Sequence, residues 1–223
     1  PATVLMDEPL TIDIPGSVPW SPMNFDKEFA GNTVLKKALM KSINVISAKL
    51  VNEVGPEKVI RMVRKFGIKS PMGKNLSLAL GTSGLSAYEL ASAYSVIANL
   101  GVYNEPYLIQ HIDDFQGNRL YEHYYQGVQQ FLPESLYPLL NMMQGVIKGG
   151  TGQVVRRMGF RHPAGGKTGT TNNFKDAWFN GFTKDISASV WVGFDNYQSM
   201  MSKSGKGLTG ASAAAPIWVH FMQ

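Results

Sequence analysis

The run Gly166-Lys167-Thr168-Gly169-Thr170-Thr171 holds the residue types in this sequence best suited to chemistry. Two chemistries use a Gly-Lys-Thr run. A phosphate-cradling loop needs a glycine five residues before the glycine that precedes the lysine. That position is Arg161, and the run leads into a β-branched, aromatic hairpin pattern where a phosphate loop would open a helix. The phosphate reading therefore fails. The other chemistry is acyl transfer through a serine, with Lys-Thr-Gly on an edge strand. There the lysine offers a cation to a carboxylate, and the glycine clears room for a substrate to lie against the strand. The N–H of the residue after the glycine can turn toward a developing oxyanion. A plain surface strand with a lysine beside a turn carries the same residues, so the run alone leaves both readings open.

Ser42-Ile43-Asn44 falls at the join of two helical patterns. A hydroxyl and an amide presented from one tight loop can relay a proton and hold a substrate. The same residues could simply break a helix and cap the next one. Other chemistries find less support. There is no cysteine, which excludes disulfides, thiol catalysis and cysteine-bound zinc. His111, His123, His162 and His220 show no metal-ligand spacing. The aromatic residues read as core, not as a stacking platform for nucleic acid.

The elements that must position these residues follow from periodicity. Pro1 to Asn32 reads as an extended lead-in with short strands at Val4–Met6 and Leu10–Ile14. Val34, Leu35, Ala38 and Leu39 set a helix that stops near Lys41, and Val45 to Val54 resumes helical spacing. Pro56 can open a third helix, which Gly67 ends. Ser86 with Glu89 is a capping-box pattern opening a helix toward Gly101. Tyr107–Ile112 and Asn118–Tyr121 read as strands around Phe115-Gln116-Gly117. A helix over Pro133–Ile147 places Leu136, Leu139, Leu140, Met143 and Ile147 on one face, and Gly149-Gly150-Thr151-Gly152 is a loop. Gly165–Thr170 is a short strand. Ala177–Thr183 and Ile186–Phe194 form a hairpin across Lys184-Asp185, and Gly210 to Phe221 closes with a helix. Helices, then antiparallel strands, then a helix argue an α+β fold.

The chain has 223 residues, 44% of them hydrophobic, enough for a sizeable core. The net charge of +5 is scattered, with no basic stripe for nucleic acid. No apolar run is long enough to span a membrane.

In combination, the order Ser42-Ile43-Asn44, a long helical stretch, Lys167-Thr168-Gly169-Thr170-Thr171, Asp176-Ala177-Trp178-Phe179 and Trp191-Val192-Gly193 resembles the transpeptidase domain of class A penicillin-binding proteins. Trp20-Ser21-Pro22-Met23-Asn24, Gly81 to Gly101, Gly149-Gly150-Thr151-Gly152 and Ala214-Ala215-Pro216-Ile217-Trp218 resemble that family too, so the likeness spans nearly the whole chain. The resemblance implies a fold shared with serine β-lactamases, an antiparallel sheet flanked by helices. It implies a D,D-transpeptidase that cross-links peptidoglycan stem peptides through an acyl-serine and binds β-lactams without a cofactor. It implies work on the outer face of the bacterial cytoplasmic membrane. Lys167 and Ser42 would form the electrostatic and proton-relay side of the cleft. Asn44 would hold the donor peptide, and Thr168, Gly169 and Thr170 would receive its terminal carboxylate. The Thr170 N–H would be half of an oxyanion hole. Asp176 is expected to serve as a turn or cap residue, and Trp178 and Phe179 as core or cleft wall.

One departure matters. The family carries a Ser-x-x-Lys motif whose serine is the acylated nucleophile. No serine in this chain has a lysine three residues on. Residues 1–223 are therefore expected to be the C-terminal portion of one transpeptidase domain: lead-in 1–32, mainly helical part 33–164, strand-rich part 165–223. The nucleophile helix, a glycosyltransferase domain and a membrane anchor are expected in preceding segments, and the chain alone is expected to be inactive. A non-catalytic peptidoglycan-binding or regulatory module of the same fold is the alternative. A soluble serine β-lactamase would need a deacylating carboxylate such as Glu105 or Glu134.

Overall fold

The structure, a computed structural model, describes residues 1–223. Val4–Asp7 (β1) pairs antiparallel with Gly31–Val34 (β2), Val4 opposite Val34 and Asp7 opposite Gly31. The second expected strand, Leu10–Ile14, reduces to one bridge between Ile12 and Trp20. Asp7 is buried, and its carboxylate accepts from the Asn24 amide at 3.0 Å and from the Ala30 N–H at 2.9 Å. Asn24 in turn accepts from the Val45 N–H at 3.2 Å. The extended lead-in is thus tied to the start of a helix through buried polar groups that satisfy one another.

Leu35–Lys41 (α1), Asn44–Val54 (α2) and Pro56–Lys65 (α3) follow the expected breaks, with Pro56 in the first turn of α3. A short 3₁₀ turn, Leu76–Leu80, precedes Ala87–Ala98 (α4). The α4 capping box is formed in both directions between Ser86 and Glu89. Val102–Tyr103 (β3) pairs with Val128–Gln129 (β6), and His111–Asp113 (β4) with Arg119–Glu122 (β5). The expected strand from Tyr107 begins only at His111. Pro133–Gly149 (α5) buries Leu136, Met143 and Ile147, and a one-turn helix, Val154–Arg157 (α6), follows the glycine loop.

Gly165–Thr170 (β7), Asp176–Phe182 (β8) and Ser187–Gly193 (β9) form a three-stranded antiparallel sheet in that order, with β7 at one edge. The Thr183 N–H donates to Ile186 O at 2.8 Å, so Lys184-Asp185 is the two-residue turn between β8 and β9. Gly210–Ala214 forms a π turn that runs into Ala215–Met222 (α7).

Alternation along the strands sorts the two faces of this sheet. Phe179 and Gly181 look toward α7, where the Trp218 ring packs edge-on against Phe179 and Phe160, both at 5.3 Å. Ile147, Val155, Ala164, Ala214, Ala215 and Val219 complete this main core, and Ala188, Val190 and Val192 of β9 pack against it. Full burial of each large side chain contributes roughly 2 kcal/mol. Phe182, on the other face, packs against Ile97 of α4 and Met143 of α5. The Ser187 hydroxyl donates to Ala91 O of α4 at 2.8 Å on that same side. The molecule is therefore an antiparallel sheet between helices, the α+β architecture expected from the sequence.

Candidate active site

Lys167 and Gly169 sit opposite Asn180 and Trp178, whereas Thr168 and Thr170 sit opposite Phe179 and Ala177. The lysine therefore rises from the sheet face that carries α4 and α5. Its ammonium donates to Ser42 Oγ at 2.7 Å and to Thr168 O at 2.9 Å. Burial holds its pKa down at about 8. No carboxylate pairs with it. The result is a desolvated cation on an open strand edge, suited to an incoming carboxylate.

Ser42 caps the C-terminus of α1 with φ 58° and ψ 47°, in the left-handed region. A non-glycine residue there is strained by roughly 1–2 kcal/mol. Its N–H closes the helix onto Leu39 O at 3.2 Å. This turn aims the hydroxyl at Lys167. Neither Ser42 nor Asn44 caps the next helix, because the N-cap of α2 is Ile43 without a side-chain bond. Asn44 occupies the first position of α2 and donates from Nδ2 to Met23 O at 2.9 Å. Its carbonyl oxygen is thereby oriented by the lead-in.

The β7 edge supplies further donors. The Thr171 N–H donates to Asp176 O at 3.1 Å, across the connection to β8. Neighbouring N–H groups on a strand point in opposite directions, so the Thr170 N–H points to the open edge. The Thr170 hydroxyl accepts from the Gly210 N–H at 3.0 Å and keeps its own hydrogen free to donate. Thr168 Oγ1 lies 2.6 Å from Thr151 Oγ1, and one hydroxyl of that pair also retains a free hydrogen. Ser42 meets Lys167 on one face of β7, whereas the Thr168 and Thr170 hydroxyls stand on the other face and the Thr170 N–H lies at the edge between them.

Three supporting residues were not assigned roles from the sequence. Thr151 joins Thr168 to α1, because its N–H donates to Met40 O at 3.0 Å. Gly210 lets the backbone before α7 lie directly on β7 and β8: a Cβ there would collide with Trp178 O and Gly169 O. Asn24 orients the start of α2. The Gly149–Gly152 run marks a tight loop in the sequence, but nothing local identifies which strand it meets. Asp176 is anchored as expected of a structural residue, accepting from Thr171 Oγ1 at 3.1 Å and Trp191 Nε1 at 2.9 Å. Phe179 is core, and Trp178 lies beside Gly169 and Trp191.

The carboxylates considered for deacylation lie elsewhere. Glu105 pairs with Lys69 at 2.8 Å on the surface, and Glu134 occupies the first turn of α5. No group of three His, Cys, Asp or Glu side chains is placed to hold a metal ion.

Comparison with known proteins identifies the family and the fold. Residues 1–222 match the penicillin-binding protein transpeptidase domain. The chain is 36% identical over 233 residues to penicillin-binding protein 1A of Neisseria lactamica, covering 100% of this chain and 28% of that protein. It superposes on the crystal structure of penicillin-binding protein 1A from Haemophilus influenzae with a TM-score of 0.90 at 27% identity, covering 99% of this chain and 38% of that one. It also superposes on the PonA1 protein from Mycobacterium tuberculosis in complex with penicillin V, with a TM-score of 0.84 at 25% identity, covering 97% and 61%. The chain spans less than a third of the curated relative's length. With a family model that matches residues 1–222 and a relative 36% identical over the whole chain, the chain belongs to the penicillin-binding-protein transpeptidase family.

Proposed function

We propose that this chain forms the carboxylate-binding and proton-relay wall of a D,D-transpeptidase that cross-links peptidoglycan stem peptides. The observation that carries this reading is the hydrogen bond from the Lys167 ammonium to Ser42 Oγ at 2.7 Å, on the open edge of β7. In this reading the terminal carboxylate of the donor peptide sits against Lys167 and the hydroxyls of Thr168 and Thr170. Gly169 leaves room for its backbone, and the Asn44 carbonyl accepts from its amide. The nucleophile is the serine of a Ser-x-x-Lys segment outside these residues. Its oxygen attacks the donor carbonyl, and the Thr170 N–H supplies one oxyanion donor. Ser42 accepts from Lys167, so its own hydrogen is free to pass toward the departing amine as the nucleophile's proton replaces it. The terminal D-alanine leaves as the amine and the acyl-serine remains. An acceptor amine then attacks the ester and returns the proton to the serine.

β-Lactams bind the same wall in this reading, because they too carry a carboxylate beside a strained acyl group. No helix here is long and apolar enough to cross a membrane. In this reading, attachment to the outer face of the cytoplasmic membrane belongs to another segment of the parent protein. The test is peptide mapping of the full-length protein after labelling with a fluorescent penicillin. The adduct is expected on a serine of Ser-x-x-Lys outside these residues, lost or strongly slowed in Lys167→Ala. A full-length protein that binds stem peptide yet forms no adduct would favour the non-catalytic module.

A further inference from the structure

Cations are gathered between α5, α6 and the lead-in to β7 in a way the transpeptidase reading does not use. From Ser135 to Lys175 the sequence contains no Asp or Glu, yet Lys148, Arg156, Arg157, Arg161, Lys167 and Lys175 all fall within it. Three of these converge. A pocket of about 150 Å³ is lined by Gln144, Lys148, Arg156, Arg161, Pro163 and Ala164. None of the three cations belongs to an ion pair.

The pocket is built rather than incidental. Gln144 and Lys148 are four residues apart on α5 and so share a face. One guanidinium nitrogen of Arg156 donates to Phe160 O at 2.8 Å and His162 O at 3.0 Å. Arg161 donates from Nη1 to Arg156 O at 2.6 Å. These backbone bonds hold both guanidinium groups in place while leaving other N–H donors free, since each carries five. Three like charges around one small pocket repel each other, and an anion among them would relieve that repulsion. A pocket of this size takes one compact group, and guanidinium forks match the oxygens of phosphate.

We infer that this pocket binds a phosphate group, carried either by a free phosphate or by the diester headgroup of an anionic phospholipid. The Gln144 amide supplies a fourth donor. Ala164 directly precedes β7, so an occupant would brace the start of the strand that bears Lys167.

The test is isothermal titration calorimetry on the full-length protein at fixed ionic strength. The probes are inorganic phosphate and glycerophosphoglycerol, the soluble headgroup of phosphatidylglycerol. Saturable binding is expected, weakened about tenfold in Lys148→Gln and again in Arg161→Gln, one charge-assisted contact each. Labelling by fluorescent penicillin should persist in both variants, which shows that they fold. Binding of the diester with the same losses assigns the site to lipid headgroups, and binding of inorganic phosphate alone assigns it to free phosphate. If neither probe saturates, or if the variants bind as the parent does, the inference is overturned.

Discussion

Thr151 Oγ1 and Thr168 Oγ1 lie 2.6 Å apart, so the loop after α5 holds the middle of β7 through one hydroxyl pair. The Thr151 N–H also reaches Met40 O at the end of α1, one residue before Lys41 and two before Ser42. Thr151 is thus a positioning residue between the two halves of the Lys167–Ser42 contact. Thr151→Val is expected to cost about 1 kcal/mol in urea denaturation of the full-length protein. It should also slow acylation by penicillin, while Thr151→Ser restores the parent rate. A Val variant that acylates normally would remove Thr151 from the account.

Strain at Ser42 separates its backbone role from its hydroxyl. Glycine adopts φ 58° without the penalty that alanine keeps. Ser42→Gly is therefore expected to be more stable than Ser42→Ala by about 1 kcal/mol. Both variants remove the hydroxyl, so both should lose about 10²-fold or more in acylation rate. Denaturation and penicillin-labelling kinetics on the same two proteins check this pair of outcomes. Equal stability would mean that the left-handed turn is not held in solution.

The pH dependence at Lys167 has a definite sign. Burial lowers its folded pKa to about 8 from 10.5. Below 8 the amine is charged in both folded and unfolded chains, and the desolvation cost is carried in full. Between about 8 and 10.5 the unfolded state holds more protons, so stability rises with pH across that window. Lys167→Met removes this contribution. Its stability advantage over the parent should be largest below pH 8 and should shrink as the pH rises toward 10.5. Denaturation midpoints across that range decide it, and a constant difference would contradict the buried-lysine description.

What could be read from the sequence was mostly what is local. The Ser86–Glu89 capping box, the Lys184-Asp185 turn and the α5 apolar face each depend on residues within a few positions of one another. The Lys-Thr-Gly strand was legible from its motif and not from propensity, because its three glycines leave the backbone more conformations, not fewer. By contrast, β2 pairs with β1 across a long connection and shows no alternation of its own, and β3 and β6 are two residues each. Leu10–Ile14 has the composition of a strand but finds only one bridge partner. The left-handed turn at Ser42, the Thr151–Thr168 pair and the approach of Gly210 to Gly169 are tertiary facts with no local periodicity. Only the family resemblance brought Ser42 and Lys167 together before the structure did.

Gly210 offers a steric test of the β7 edge. Gly210→Ala places a methyl against Trp178 O and Gly169 O, both backbone atoms that cannot turn aside. A loss of about 1–3 kcal/mol is expected, with slower acylation because Gly169 and Thr170 are displaced. Gly84→Ala meets open space and is the matched control. Equal behaviour of the two variants in denaturation and labelling would sink this placement of the backbone before α7.

The most direct measurement is a double-mutant cycle on penicillin acylation of the full-length protein, with Ser42→Ala, Lys167→Ala and both together. The central claim is that the 2.7 Å contact makes these residues one functional unit. Groups that act as a unit are non-additive, so the double variant should be little slower than the slower single variant. Losses that simply multiply would show that Ser42 and Lys167 act separately, and would contradict the relay assigned to this wall.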